Sequence, residues 1–169
     1  MTQLTNPPIP PTPWLVPEII PTIEGLLTKN SKVLEFGSGG STLWFAQLAG
    51  EVISVEHDAG WYARVRAQMP AHVNLTYEEP PYRIFTRSLP DHYFDLVMVD
   101  GRRRCDCMMA SFRTLKKGGY LVLDNSERED YKPGIDFLLS KGMVSCAGST
   151  SHEPYPYPGW STEIFKKVK

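Results

Sequence analysis

The stretch spanning residues 32–46, Lys-Val-Leu-Glu-Phe-Gly-Ser-Gly-Gly-Ser-Thr-Leu-Trp-Phe-Ala, constrains the chain more than any other. Residues 33–36 form an apolar run that reads as a buried strand. The run breaks into a small-residue turn and resumes as an apolar helical pattern with Ser41 or Thr42 near its start. Glycine in such a turn lets the backbone bend sharply and lets a ligand approach the main chain without a Cβ in the way. The helix after the turn aims unpaired N–H groups back at that ligand. A strand, glycine turn and helix in this order bind nucleotides, and the rest of the chain decides which one.

Strand-like and helix-like segments alternate along the whole chain. Residues 18–27 carry Ile19, Ile23, Leu26 and Leu27, the stripe of a short amphipathic helix despite Pro21. The helix from Ser41 is expected to close at Gly50 as a C-terminal cap. Residues 52–56 form a second strand, and Asp58 caps a helix whose Trp61, Val65 and Met69 stack before Pro70. Residues 73–77 alternate as a third strand, whereas 82–92 are too short and irregular for a full crossover helix. A fourth strand covers 94–100. Met108, Phe112 and Leu115 then line a helix expected to stop at 116–119, with lysines at its negative end. Residues 120–123 are a fifth strand ending at Asp124 and Asn125. Ile135, Leu138 and Leu139 mark a last helix closed by Gly142. Two strands, 143–147 and 161–167, flank a loop holding His152, Tyr155, Tyr157 and Trp160. This alternation predicts a doubly wound, mostly parallel α/β sheet. In such sheets ligands bind at the carboxyl ends of the strands. Glu35 to Gly39, Glu56 with His57, Asp100 to Arg102, and Asp124 with Asn125 all fall on that rim.

The chain divides into a proline-rich arm, 1–17, and one domain, 18–169. The arm reads as extended and polyproline-like, either a free leader or a strap across the domain or across a second subunit, a route to a dimer. A length of 169 residues suits one domain, and the net charge of −1 argues against nucleic acid or an anionic membrane as partner. No apolar run is long enough to cross a membrane, and no basic-then-apolar signal opens the chain. Cys105, Cys107 and Cys146 lack zinc-like pairing and read as reduced thiols, which points to the cytoplasm.

Glu56 lies 19 residues after Gly37, at the end of the next strand, where an acid accepts hydrogen bonds from a ribose. That spacing also fits NAD, but Thr42 stands where the dinucleotide fingerprint has its third glycine, and no P-loop lysine follows the turn. The motif Glu35-x-Gly37-x-Gly39-x-Ser41, with Glu56, Asp100 and the Gly118-Gly119 approach to the fifth strand, resembles the class I S-adenosylmethionine-dependent methyltransferases. The resemblance implies a Rossmann-like seven-stranded sheet in the order 3-2-1-4-5-7-6, with the last strand antiparallel. It implies S-adenosylmethionine as cofactor, held by Glu35, Gly37, Ser38, Gly39, Ser41, Thr42, Glu56, His57 and Asp100. The implied activity is methylation of a small molecule, on oxygen. An NAD-type oxidoreductase and a non-catalytic S-adenosylmethionine-binding protein are the alternatives.

Asp100 with Asp124 and Asn125 is also similar to the metal triad of catechol-type O-methyltransferases, which implies Mg²⁺ on three hard oxygen ligands. The same three residues have a metal-free reading, in which Asp100 orients the cofactor and Asn125 binds the acceptor. Arg103 stands where the catechol type has its lysine base, and a guanidinium cannot act as a base at neutral pH. The run Arg102, Arg103 and Arg104 reads either as a grip on a carboxylate or phosphate of the substrate or as a solvated basic turn. His152 is the candidate catalytic histidine. Tyr155, Tyr157 and Trp160 read as an aromatic wall for the acceptor or as packing of their own loop.

Overall fold

Short apolar segments bounded by glycine, proline or acid become strands, and those between them become helices. The computed structural model describes residues 7–154 and 156–169. Within them the strands are β1 (Lys32–Phe36), β2 (Glu51–Glu56), β3 (Val73–Tyr77), β4 (Phe94–Val99), β5 (Leu115–Asp124), β6 (Met143–Thr150) and β7 (Ser161–Lys167). They form one sheet in the order β3-β2-β1-β4-β5-β7-β6, with β7 antiparallel to both its neighbours. This is the topology that the resemblance implied.

The helices are α1 (Ile20–Gly25), α2 (Gly40–Leu48), α3 (Ala59–Arg66), α4 (Arg83–Ser88), α5 (Arg104–Thr114) and α6 (Lys132–Ser140). Strand alternation sorts the core into two layers. Leu34 and Phe36 of β1 join Val97 and Val99 of β4 on one face, packed against Phe85, Met108 and Leu138 from the helices. Val33 joins Leu96 and Met98 on the other face, against Ile23, Trp44 and Phe45. The same alternation puts Glu35 on the Val33 face, beneath α2, where it is fully buried.

Four sequence expectations shift. The helix expected over 18–27 shortens to α1 and forms, as expected, despite Pro21. Pro21 stands in its first turn, where a missing N–H costs nothing, after a 3₁₀ turn at Pro17–Ile19. Gly50 does not cap α2, whose C-cap is the extended Ala49. A Cβ at Gly50 would instead run into the Lys29 carbonyl, so the glycine serves a close approach of two chain segments. Lys116 to Gly119 do not end α5 but open β5, because Leu115 pairs with Phe94 and the register slips before Leu96. Lys116 therefore reaches Asp95 at 2.7 Å and not a helix end. The strand expected over 143–147 runs on to Thr150.

Residues 1–6 of the proline-rich arm lie outside the described residues, and residues 7–17 run across the chain's own domain. Ile9 is buried and its N–H donates to Gln68 Oε1 at 2.8 Å. Leu15 and Val16 enter the core beside Ile19. Among the described residues no helix is long and apolar enough to cross a membrane.

Candidate active site

A cleft of about 680 Å³ opens at the carboxyl ends of β1, β2 and β4. Its floor is the junction of two turns. Gly37 has φ +90°, and a Cβ there would come within 2.9 Å of the Gly101 backbone. The turns after β1 and β4 thus touch through two residues without side chains, and Asp100 N–H donates to the Phe36 carbonyl at 3.0 Å. Gly39 differs. A Cβ at Gly39 would meet only the Trp61 ring, at 3.6 Å, so this position is open toward the cleft. Trp61 is fixed there by its indole N–H, which donates to the Ser38 carbonyl at 2.7 Å.

Glu56 ends β2 at the cleft wall. Its Oε1 accepts from the His57 and Asp58 N–H groups, both at 2.8 Å. Its Oε2 accepts from Ser38 N–H at 3.0 Å and from Ser38 Oγ at 3.3 Å. The carboxylate therefore ties the glycine turn to the end of β2. His57 lines the cleft with its Nδ1 2.9 Å from Glu56 Oε1. Asp58 caps α3 by accepting from the Trp61 N–H at 2.7 Å.

Glu35 and Thr42 do not reach the cleft, which corrects their expected contact with a cofactor. The Glu35 carboxylate lies behind the turn and accepts hydrogen bonds from Ser41, Thr42 and Ser54. Burial pushes its pKa up to about 7 against the pull of these three hydroxyls, with the nearby Glu56 charge adding to the rise. Thr42 Oγ1 accepts from the Gly39 N–H at 2.9 Å, so the buried acid sets the turn through the hydroxyls. Ser41 bonds Glu35 and also lines the cleft.

Solved structures share this architecture. An rRNA methylase from Streptococcus thermophilus superposes at TM-score 0.70 with 11% identity, over 94% of this chain and 100% of that one. The chain has the fold of class I S-adenosylmethionine-dependent methyltransferases. The N-methyltransferase NodS from Bradyrhizobium japonicum WM9, solved with S-adenosyl-L-homocysteine, matches at TM-score 0.62 and 13% identity, over 82% of this chain and 79% of that one. The tRNA (m1A58) methyltransferase TrmI from Aquifex aeolicus matches at 0.62 and 16%, over 90% of this chain. The chain spans 68% of TrmI and only 61–62% of two further neighbours from Pyrococcus horikoshii. No family model matches the chain, and no curated protein does.

Within this methyltransferase fold, the catechol-type metal triad is not formed. Arg104, at the start of α5, takes the place between the two acids. Its Nη2 lies 2.7 Å from Asp100 Oδ1, and its Nη1 lies 3.9 Å from Asp124 Oδ2 while donating to the Asp124 carbonyl. Asp124 Oδ1 accepts from Trp160 Nε1 and Thr162 Oγ1, both at 2.9 Å. Asn125 turns its amide to the Tyr157 hydroxyl at 2.8 Å. A fixed cation already balances the carboxylates, and Mg²⁺ would have to displace it. Asp100 still faces the cleft, and burial pushes its pKa up to about 7, with Arg104 opposing and Asp124 and Glu35 adding.

The loop after β6 also departs from expectation. Trp160 is buried, and its indole clasps Asp124 without lining the cleft. Tyr157 donates to Glu127 at 2.7 Å and accepts from Asn125, so it packs the loop onto the segment after β5. His152 is exposed and away from the cleft, because β6 is the far edge strand. Tyr155 lies outside the described residues. Replacing Trp160 with phenylalanine is expected to cost about 1–3 kcal/mol, since it leaves a buried Asp124 oxygen short of a donor. Urea denaturation checks this, and the same variant should bind S-adenosylhomocysteine as tightly as the unmodified chain.

Arg102 and Arg103 do line the cleft, joined by Thr12 and Trp14 of the arm and by Arg128 and Tyr131. Sequence reasoning placed Arg104 only in the basic run with Arg102 and Arg103 and missed its bond to Asp100, although a spacing of four at a helix start is the geometry of an ion pair. It also missed Trp61, whose position one turn into a capped helix after Glu56 was available as a signal. Nothing local marked Trp14, which reaches the cleft only because the arm passes over Gly40.

Proposed function

We propose that the chain transfers a methyl group from S-adenosylmethionine to an oxygen of a small molecule. The observation that carries this reading is the convergence of Gly39, the start of α2 and Glu56 on one cleft. The cleft suits the cofactor: its volume is within the range of small-molecule sites, its turn lacks a side chain at the open position, and an acid ends β2. The cofactor supplies a sulfonium-activated methyl group, so the protein has to align a nucleophile and exclude water.

Glu56 would accept a ribose hydroxyl in place of Ser38 Oγ, the longest of its bonds. Asp100 is suited to take the acceptor proton. Arg104 holds its Oδ1, its Oδ2 makes no hydrogen bond among the described residues, and its pKa of about 7 suits a base at neutral pH. Bound S-adenosylmethionine would supply the methyl group, and Asp100 would take the proton that the acceptor hydroxyl gives up. The net charge of −1 favours a small acceptor over RNA, and three free thiols suit the cytoplasm.

The test is release of S-adenosylhomocysteine with a panel of hydroxylated small molecules. Asp100→Asn keeps an acceptor oxygen for Arg104 and is expected to lower kcat by about 10²–10⁴-fold, with the KM for S-adenosylmethionine unchanged. Full turnover in that variant would remove Asp100 from the chemistry.

A further inference from the structure

We infer that the acceptor carries an oxyanion, a carboxylate or a phosphate ester, received by Arg102, Arg103 and Arg128. This rests on the methyltransferase reading and names the chemical class that the acceptor end of the same cleft selects.

The cleft is divided by charge. Glu56 and Asp58 line its β2 side, and the three arginines line the side beyond β4 and β5. A cofactor whose ribose meets Glu56 and whose sulfonium lies toward Asp100 leaves that arginine side for the acceptor. The carboxylates nearby do not use up these cations. Asp100 is engaged by the buried Arg104, a separate residue. Asp106 takes only the Nε edge of Arg103, at 2.8 Å, which leaves the two terminal nitrogens of an exposed guanidinium. Glu127 is 3.8 Å from Arg128 Nε and spends its oxygens on Tyr157 and the Ser161 N–H. Arg128 Nη1 and Nη2 donate only long bonds to the neutral hydroxyls of Tyr131 and Tyr157, at 3.5 and 3.3 Å, which a charged oxyanion would replace. Arg102 makes no side-chain bond among the described residues, although its N–H is fixed at 3.3 Å from the Tyr82 hydroxyl.

Position is set by structure as well as charge. Arg103 is held at φ +54°, the turn that starts α5, so its side chain leaves the backbone at the cleft rim. Tyr131 and Trp14 flank the arginines as flat apolar surfaces, and Trp14 is 65% exposed. A second hollow of about 410 Å³ shares Arg103, Arg104 and Tyr131 with the cleft and gives the acceptor room to extend. Guanidinium forks bind carboxylate and phosphate through paired N–H donors, and the attraction is strongest where the site is part-closed.

The probes are benzoate, phenyl phosphate and neutral benzamide, titrated by calorimetry into protein saturated with S-adenosylhomocysteine. The anions should bind saturably and benzamide at least about tenfold more weakly. Arg103→Gln with Arg128→Gln should weaken both anions about tenfold or more, with S-adenosylhomocysteine affinity held within about twofold. Arg102→Gln, at an exposed side chain free of other bonds among the described residues, should weaken them in the same direction. Equal binding of benzamide and benzoate, absence of saturable anion binding, or anion affinity unchanged in all the variants would overturn the inference. So would a tRNA transcript that binds through the same arginines while the small anions do not. Loss of S-adenosylhomocysteine binding by the unmodified chain is a different failure, that of the parent reading.

Discussion

Replacing Arg104 with leucine is expected to destabilise the protein by about 3–5 kcal/mol at pH 7, the cost of stranding buried charges. The guanidinium is 8% exposed and joins the ends of β4 and β5. It bonds Asp100 Oδ1 at 2.7 Å and the carbonyls of Asp100 and Gly101 at 3.0 and 3.1 Å, besides the Asp124 carbonyl. Leucine fills much of the space and satisfies none of these oxygens. Burial already raises the pKa of both acids, and loss of the cation raises them further. Groups raised above their unfolded pKa favour the folded state at low pH and lose that contribution as pH rises through the folded value. The deficit of the variant should therefore shrink between pH 7 and pH 4.5. Urea denaturation at the two pH values measures it. A deficit below about 1 kcal/mol at pH 7 would mean that the clasp is a solvated surface pair.

Glu35 should produce the second large effect, with an unusual dependence on the substitution. Its folded pKa of about 7 stands against an ordinary value of 4.5, at a side chain with no exposure. That difference corresponds to roughly 3 kcal/mol lost as pH rises from about 4.5, where the unfolded carboxyl ionises, to about 7, where the folded one does. Glu35→Gln removes the titration and can still bond the hydroxyls of Ser41, Thr42 and Ser54. It should be at least as stable as the unmodified chain at pH 7 and should lack the slope between pH 4.5 and 7. Glu35→Leu also lacks the titration but orphans the three hydroxyls, and relative to Glu35→Gln it is expected to cost about 2–4 kcal/mol at any pH in that window. Thermal denaturation of both variants across pH separates the cases. A Gln variant that keeps the wild-type slope would show that another group carries it.

These two residues also show where sequence reading stops. β3 and β7 were legible to the residue because β-branched alternation bounded by turn formers admits few other assignments. Asp58 was legible as a cap because the donor that it meets, Trp61, is three residues away. Contacts that depend on distant segments were not legible. Glu35 belongs to the motif, but its side-chain direction follows from strand parity and the position of α2. Trp160 meets Asp124 across 36 residues, and only the sheet order brings them together. Arg104 sits within a three-arginine run that reads as one charge cluster, yet helix geometry buries the third and leaves two exposed. Lys116 to Gly119 resemble a helix end because lysines and glycines favour that position. Pairing of Leu115 with Phe94 overrides the local preference.

The most direct measurement is calorimetric titration of the unmodified chain with S-adenosylhomocysteine and, separately, with NADH. Saturable single-site binding of S-adenosylhomocysteine is expected, and none of NADH. Gly39→Leu, at the open position of the turn, should lower the affinity about tenfold or more, because its side chain crowds Trp61 and the cleft. Its far-ultraviolet circular dichroism should stay native. Binding of NADH without S-adenosylhomocysteine, or equal affinity in Gly39→Leu, would contradict the cofactor assignment.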